Sequence, residues 1–240
     1  MPYVDARYWL GITLASIFGT NLGDLYAHES GFGIVPGIAL LAALAALVFV
    51  VERSSERVTE LFYWLVIIII RTGATNIADY LAFRVRVPGL WLSLGLGALL
   101  ALLAWRQHGL GKAATPAAAG RLGETGGSYW GAMLTAGVFG TVVGDIAQHM
   151  AGQGVAALGL ALLLGMIFTT RGFSSGTLAS YWIAIAVART TGTALGDWLA
   201  ENKTLSFGLM VATLISGACF IVVLLPWRGR EGRRPPVRTG

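Results

Sequence analysis

The chain has 240 residues, 55% of them hydrophobic and only 12% charged, with a mean hydropathy of +0.70 and a formal net charge of +5. A soluble fold of this length cannot hide so much apolar surface, so ordinary soluble domains are excluded and lipid is the main solvent. The single cysteine, Cys219, excludes an internal disulfide and a multi-cysteine metal site.

Apolar stretches run in chain order over 8–28, 34–51, 62–83, 89–105, 130–150, 154–170, 179–200 and 206–227. Each approaches the ~20 residues that a helix needs to cross ~30 Å of hydrocarbon. Backbone groups in lipid must be satisfied internally, and the two-residue alternation of a barrel is absent, so the stretches are predicted as helices. Pro36 and Pro88 stand at the starts of the second and fourth spans, where a missing N–H costs nothing. The expected fold is an all-α polytopic membrane protein of eight transmembrane helices. No cleavable signal pattern is expected, because the first span carries the motif of three later ones.

Twelve of the Lys and Arg residues fall in the N-terminus, the 52–61 loop, the 106–128 segment, the 171–178 loop and the tail. Three, Arg84, Arg86 and Lys203, fall in the opposite loops. The positive-inside rule then predicts both termini in the cytoplasm. The tail from 228 carries five arginines. Beside a membrane segment, that run reads as contact with anionic lipid and not with nucleic acid.

The odd-numbered spans are copies of one another. Each opens on Tyr-Trp: Tyr8-Trp9, Tyr63-Trp64, Tyr129-Trp130 and Tyr181-Trp182. Eleven residues after each Trp stands a threonine (Thr20, Thr75, Thr141, Thr193), and fifteen after it an aspartate (Asp24, Asp79, Asp145, Asp197). The chain has five aspartates, and four occupy this slot, which chance does not produce. Each unit is this motif helix followed by a plainer return helix, so all four units point the same way across the membrane. A finer alternation pairs unit one with three and two with four. Seven residues after the Trp stand Ser16, Arg71, Gly137 and Arg189, and four after the Asp stand His28, Phe83, His149 and Glu201. The predicted organisation is a first membrane half (1–106), a cytoplasmic linker (107–127), a second half (128–227) and a basic tail (228–240).

Four tandem two-span units with a Trp near the start of each resemble the bacterial membrane-protein family described only as a four-fold repeat of unknown function. The resemblance covers nearly the whole chain outside linker and tail. It implies a bacterial integral membrane protein and brings no established activity with it; an inner-membrane location is expected.

Thr and Asp four apart share one helix face. One position upstream run small residues, Gly19 and Gly23, Gly140 and Gly144, Gly192 and Gly196, with Ala74 and Ala78 in the second unit. Such pairs let helices approach closely in lipid, so the Thr–Asp stripe is expected at the interior. With the Trp at the interface, Arg71 and Arg189 lie ~10 Å, the threonines ~16 Å and the aspartates ~22 Å along the axis. Charged groups at such depth cost at least ~2.5–3.5 kcal/mol each, so pairing, water or protonation must offset them. One reading is a polar pathway in which Asp24, Asp79, Asp145 and Asp197 form a cation site, the four threonines line it, and Arg71 and Arg189 set local charge. The other is a set of aspartates that clamp helix ends.

Asp24 with His28 and Asp145 with His149 pair a carboxylate and an imidazole in two equivalent helices. Facing each other, they can hold a divalent metal such as Zn or Mn; alternatively the histidines are haem ligands, or simply meet water. Trp9, Trp64, Trp130 and Trp182 are expected as interface anchors. With no phosphate loop, nucleophile elbow or catalytic domain, an enzyme is not expected. The leading expectation is a small transporter or channel for a cation, a divalent metal or a proton-coupled solute. The alternative is a non-transporting scaffold or a cofactor-binding redox protein.

Overall fold

The computed structural model describes residues 2–29, 31, 33–54, 60–109, 125–171, 177–202 and 207–231. Most of the expected linker and tail lies outside the described residues, as does the side chain of His28. The described helices are α1 (Ala6–Asp24), α2 (Ile34–Ser54), α3 (Glu60–Asp79), α4 (Gly89–Gly109), α5 (Gly127–Ala151), α6 (Gln153–Arg171), α7 (Leu178–Glu201) and α8 (Gly208–Glu231). They match the eight apolar stretches one for one. Local chemistry sets their ends. The Asp5 carboxylate accepts the Tyr8 N–H at 2.9 Å to start α1, and Thr177 and Ser180 form a reciprocal capping box on α7. Between α5 and α6 the chain turns on Gly152 alone, at φ 83°, which a side chain would resist.

Four helices form the centre. The motif helices contact each other in the cyclic order α1, α3, α5, α7 and back to α1. The small residues make this closeness possible, and each pair faces the next motif helix, not a return helix. Gly19 and Gly23 abut α3 at Arg71, Thr72 and Thr75, while Gly140 and Gly144 abut α7 at Arg189, Thr190 and Thr193. Gly192 and Gly196 abut α1 at Ser16, Ile17 and Thr20. Ala74 of α3 lies against Gly137 of α5, so the same contact recurs around the whole ring.

The return helices form an outer layer displaced by one unit. α2 packs on α3, α4 on α5, α6 on α7, and α8 comes round to α1. Specific contacts carry each seat. Gly97 of α4 meets Phe139 of α5, the Thr191 hydroxyl of α7 donates to the Leu160 carbonyl of α6 at 3.1 Å, and Phe220 of α8 stacks on Phe18 of α1. The outward faces of this layer are apolar, with Leu47, Val50, Leu90, Trp91, Leu158, Leu162, Leu214 and Val222 exposed. Lipid is the solvent that suits them.

Six helices, α2 to α6 and α8, are long and apolar enough to cross a membrane. α1 and α7 are not among them, because Ser, Thr, Asn and Gly occupy their inner faces. Those residues are buried in the ring, where the neighbours are protein. The chain is a multi-pass helical membrane protein with a polar centre and an apolar coat.

Candidate functional site

The centre of the ring is layered, and the first layer is aromatic. Tyr8, Tyr63, Tyr129 and Tyr181 point their hydroxyls inward and close a cycle of four hydrogen bonds. The O···O distances are 2.9 Å (Tyr8–Tyr63), 2.7 Å (Tyr63–Tyr129), 3.0 Å (Tyr129–Tyr181) and 2.5 Å (Tyr181–Tyr8). Every hydroxyl can donate once and accept once, so four buried polar groups satisfy one another without water. Each tyrosine meets its own Trp edge-on, with centroids 5.2–5.3 Å apart, and leans on the Trp of an adjacent unit.

This packing corrects the expectation that the tryptophans anchor at the lipid–water boundary. Trp9, Trp64 and Trp182 are 2–3% exposed and Trp130 is half-buried. They lie in the protein core because outer helices cover them. Phe168 of α6 sits on Trp9, Phe220 of α8 on Trp64, and Phe49 of α2 on Trp130.

The second layer holds the arginines. Both are fully buried, and both stand in the same repeat slot, yet they bond different layers. The Arg189 guanidinium donates to the Ser16 hydroxyl at 3.1 Å and reaches the Met133 sulfur at 3.7 Å. The Arg71 guanidinium enters the threonine layer. Its Nη1 donates to Thr141 Oγ1 at 2.9 Å, Thr75 Oγ1 at 3.2 Å and the Gly137 carbonyl at 3.5 Å. Its Nη2 donates to Thr20 Oγ1 at 2.5 Å and Thr193 Oγ1 at 2.6 Å. All four motif threonines, one from each unit, therefore bind one cation. Hydrogen bonds from a charged donor contribute ~1.5–3 kcal/mol each, enough together to hold a guanidinium out of bulk water.

The third layer is open. A cavity of about 890 Å³ has the four threonines at its inner end and Asp24, Asp79, Asp145 and Asp197 in its wall. Phe83, His149, Met150, Gln153 and Glu201 stand at its outer part, where Met150 and His149 are exposed. The repeat spacing thus brings all four carboxylates to one space, as the shared helix face requires. They are not equivalent, however. Gln148 donates to Asp197 at 2.6 Å, and α1 and α3 widen into π-helical turns at Leu25–Glu29 and Tyr80–Arg84, directly after Asp24 and Asp79. No such turn follows Asp145 or Asp197, where α5 and α7 continue.

Of the expected histidine pair, the His28 side chain lies outside the described residues and His149 alone is placed. His149 Nδ1 lies 2.8 Å from the Asp145 carbonyl of its own helix, and among the described residues no group of three His, Cys, Asp or Glu side chains comes together closely enough to hold a metal ion. α1 and α5 sit opposite each other in the ring, with α3 and α7 between them.

Sequence reasoning missed three features. The hydroxyl cycle was hidden because Tyr at a span end resembles an anchor. Ser16, the unit-one residue in the arginine slot, is the partner of Arg189. Asn21 and Asn76, each directly after a motif threonine in units one and two, are fully buried with both carboxamide atoms unpartnered. Their repetition as Thr-Asn at 20–21 and 75–76 was the available signal.

The sequence model of the family described as Repeat of Unknown Function (DUF347) matches residues 7–57 and 180–233. These are α1 with α2, and α7 with α8. No curated protein matches the chain, and no solved structure does. The first and last units therefore carry the repeat that defines this family of unknown function, and the fold shows the same unit twice more between them.

Proposed function

We propose that the protein is a transporter for a small cation, which is taken up through the carboxylate-lined cavity. The observation that carries this reading is that one open space reaches all four repeated aspartates and ends on all four repeated threonines. Converging carboxylates between low-dielectric walls concentrate cations and repel anions. The volume of about 890 Å³ falls within the ~300–1,000 Å³ of small-molecule sites. It leaves room for a hydrated or organic cation. The excess of Lys and Arg on the tyrosine side orients that side and both termini to the cytoplasm of a bacterial inner membrane. The cavity then faces away from the cytoplasm, shut below by the Arg71–threonine layer and the tyrosine cycle. The basic tail meets anionic lipid in this arrangement. The orphaned Asn21 and Asn76 support movement between motif helices, since unsatisfied buried groups cost ~1–3 kcal/mol each and an alternative packing can recover that.

Proteoliposome uptake of guanidinium, methylammonium and Mn²⁺, measured separately, tests the reading. Asp79→Asn combined with Asp197→Asn is expected to lower uptake at least about tenfold, equivalent to ~1.4 kcal/mol at the rate-limiting step, with the melting temperature held. Undiminished uptake removes those carboxylates from the pathway. A variant that fails to fold favours the clamp reading and a non-transporting scaffold.

A further inference from the structure

The floor of the cavity is itself a binding site, and it is full. Thr20, Thr75, Thr141 and Thr193 surround the Arg71 guanidinium with Oγ1 atoms 2.5–3.2 Å from its nitrogens. The ring belongs to four helices, whereas its occupant hangs from one. Each threonine hydroxyl is also within reach of the carbonyl four residues earlier: Ser16 at 2.9 Å, Arg71 at 3.5 Å, Gly137 at 3.4 Å and Arg189 at 3.4 Å. With the hydroxyl hydrogens turned to their own helices, the oxygens face the axis as acceptors. Such a ring takes a cation rich in N–H groups and rejects anions. Recognition rests on the two Nη groups, because Arg71 Nε is buried without a partner. Those two groups are the part of the side chain that a free guanidinium reproduces. The stem of Arg71 packs on Gly19, where an added Cβ would lie 2.5 Å from its Cγ, while the opposite side of the ring is the cavity.

We propose that the threonine ring is a recognition site for guanidinium-type cations, with Arg71 as its tethered occupant. The cargo carries a guanidinium, amidinium or primary ammonium group and takes over the hydroxyls when Arg71 withdraws. The assignment of cargo rests on the transport reading above; the chemistry of the ring does not. A tethered and a free cation that both present N–H donors can exchange at one set of acceptors without leaving the ring empty.

Equilibrium dialysis of the full chain in detergent against [¹⁴C]guanidinium tests it. Arg71→Ala is expected to bind guanidinium saturably, and the wild type to bind it at least about tenfold more weakly at this site, because the tethered Arg71 competes for the hydroxyls. Adding Thr20→Val and Thr193→Val is expected to weaken binding at least about tenfold. Tetramethylammonium, which has no N–H, is expected not to compete. A folded Arg71→Ala that binds no guanidinium, or binds it equally well without the two hydroxyls, overturns the site. If that variant does not fold, Arg71→Leu keeps the stem against Gly19 for the same measurement. Recovery of either variant when guanidinium is present during solubilisation supports the site, and failure to recover counts against it. Wild-type uptake of Mn²⁺ but not of guanidinium overturns the cargo class and leaves the transport reading standing. Loss of the aspartate effect on uptake removes the transport reading and leaves the dialysis result untouched.

Discussion

Gly140→Leu is expected to destabilise the protein by about 3 kcal/mol or more, read as a fall in melting temperature in detergent. A Cβ at Gly140 would lie 2.6 Å from Arg189 Cβ, 2.8 Å from the Arg189 carbonyl carbon and 2.9 Å from the Thr190 nitrogen. Two of these are backbone atoms, so no rotamer change relieves the clash and α5 must part from α7. Parting there also disturbs Gly144, whose added Cβ would stand 2.9 Å from Thr193 Cβ, and through Thr193 the ring that holds Arg71. The control is Gly95→Ala on α4, where nothing lies within 4 Å. There the helix gains ~0.5–1 kcal/mol from the better helix former. An equal loss at both sites would show a general intolerance of added side chains and not a contact between motif helices.

The tyrosine cycle predicts an unusual order of stabilities. Tyr63→Phe breaks two hydrogen bonds and leaves Tyr8 and Tyr129 each one partner short, at about 2 kcal/mol. Changing the diagonal pair Tyr8 and Tyr129 to Phe breaks all four bonds and strands two buried hydroxyls. Replacing all four tyrosines breaks no further bond and strands nothing. The quadruple variant is therefore expected to melt above the diagonal double, because a buried group without a partner costs more than an apolar pair. The reverse order in a melting series would mean that the hydroxyls do not depend on one another.

Much of this was legible in the sequence because it depends on period and repetition. Thr and Asp four apart define a face, small residues one position earlier define a close contact, and four copies of both require the faces to meet. What escaped depends on partners. Arg71 and Arg189 occupy one slot, but four hydroxyls accommodate one guanidinium, so the second cation turns to Ser16 and Met133. Trp9 and Trp64 are covered by α6 and α8, which lie far from them in sequence, and no local pattern announces which outer helix covers which tryptophan. The π-helical turns after Asp24 and Asp79 likewise escaped, because they pair unit one with unit two, whereas the alternation of His28, Phe83, His149 and Glu201 pairs one with three and two with four.

Because each outer helix lies on the unit that follows it and α8 returns to α1, no unit owns a complete shell. A chain ending after Gly109 would leave α1 bare on one flank and α4 with no seat. A second such chain, turned by half a revolution, supplies both. In that geometry two short polypeptides trade their last helices across a two-fold axis, and neither can finish folding until the other arrives. Joining them in a single polypeptide removes the dependence on concentration and frees the two arginines of the shared slot to bond different layers.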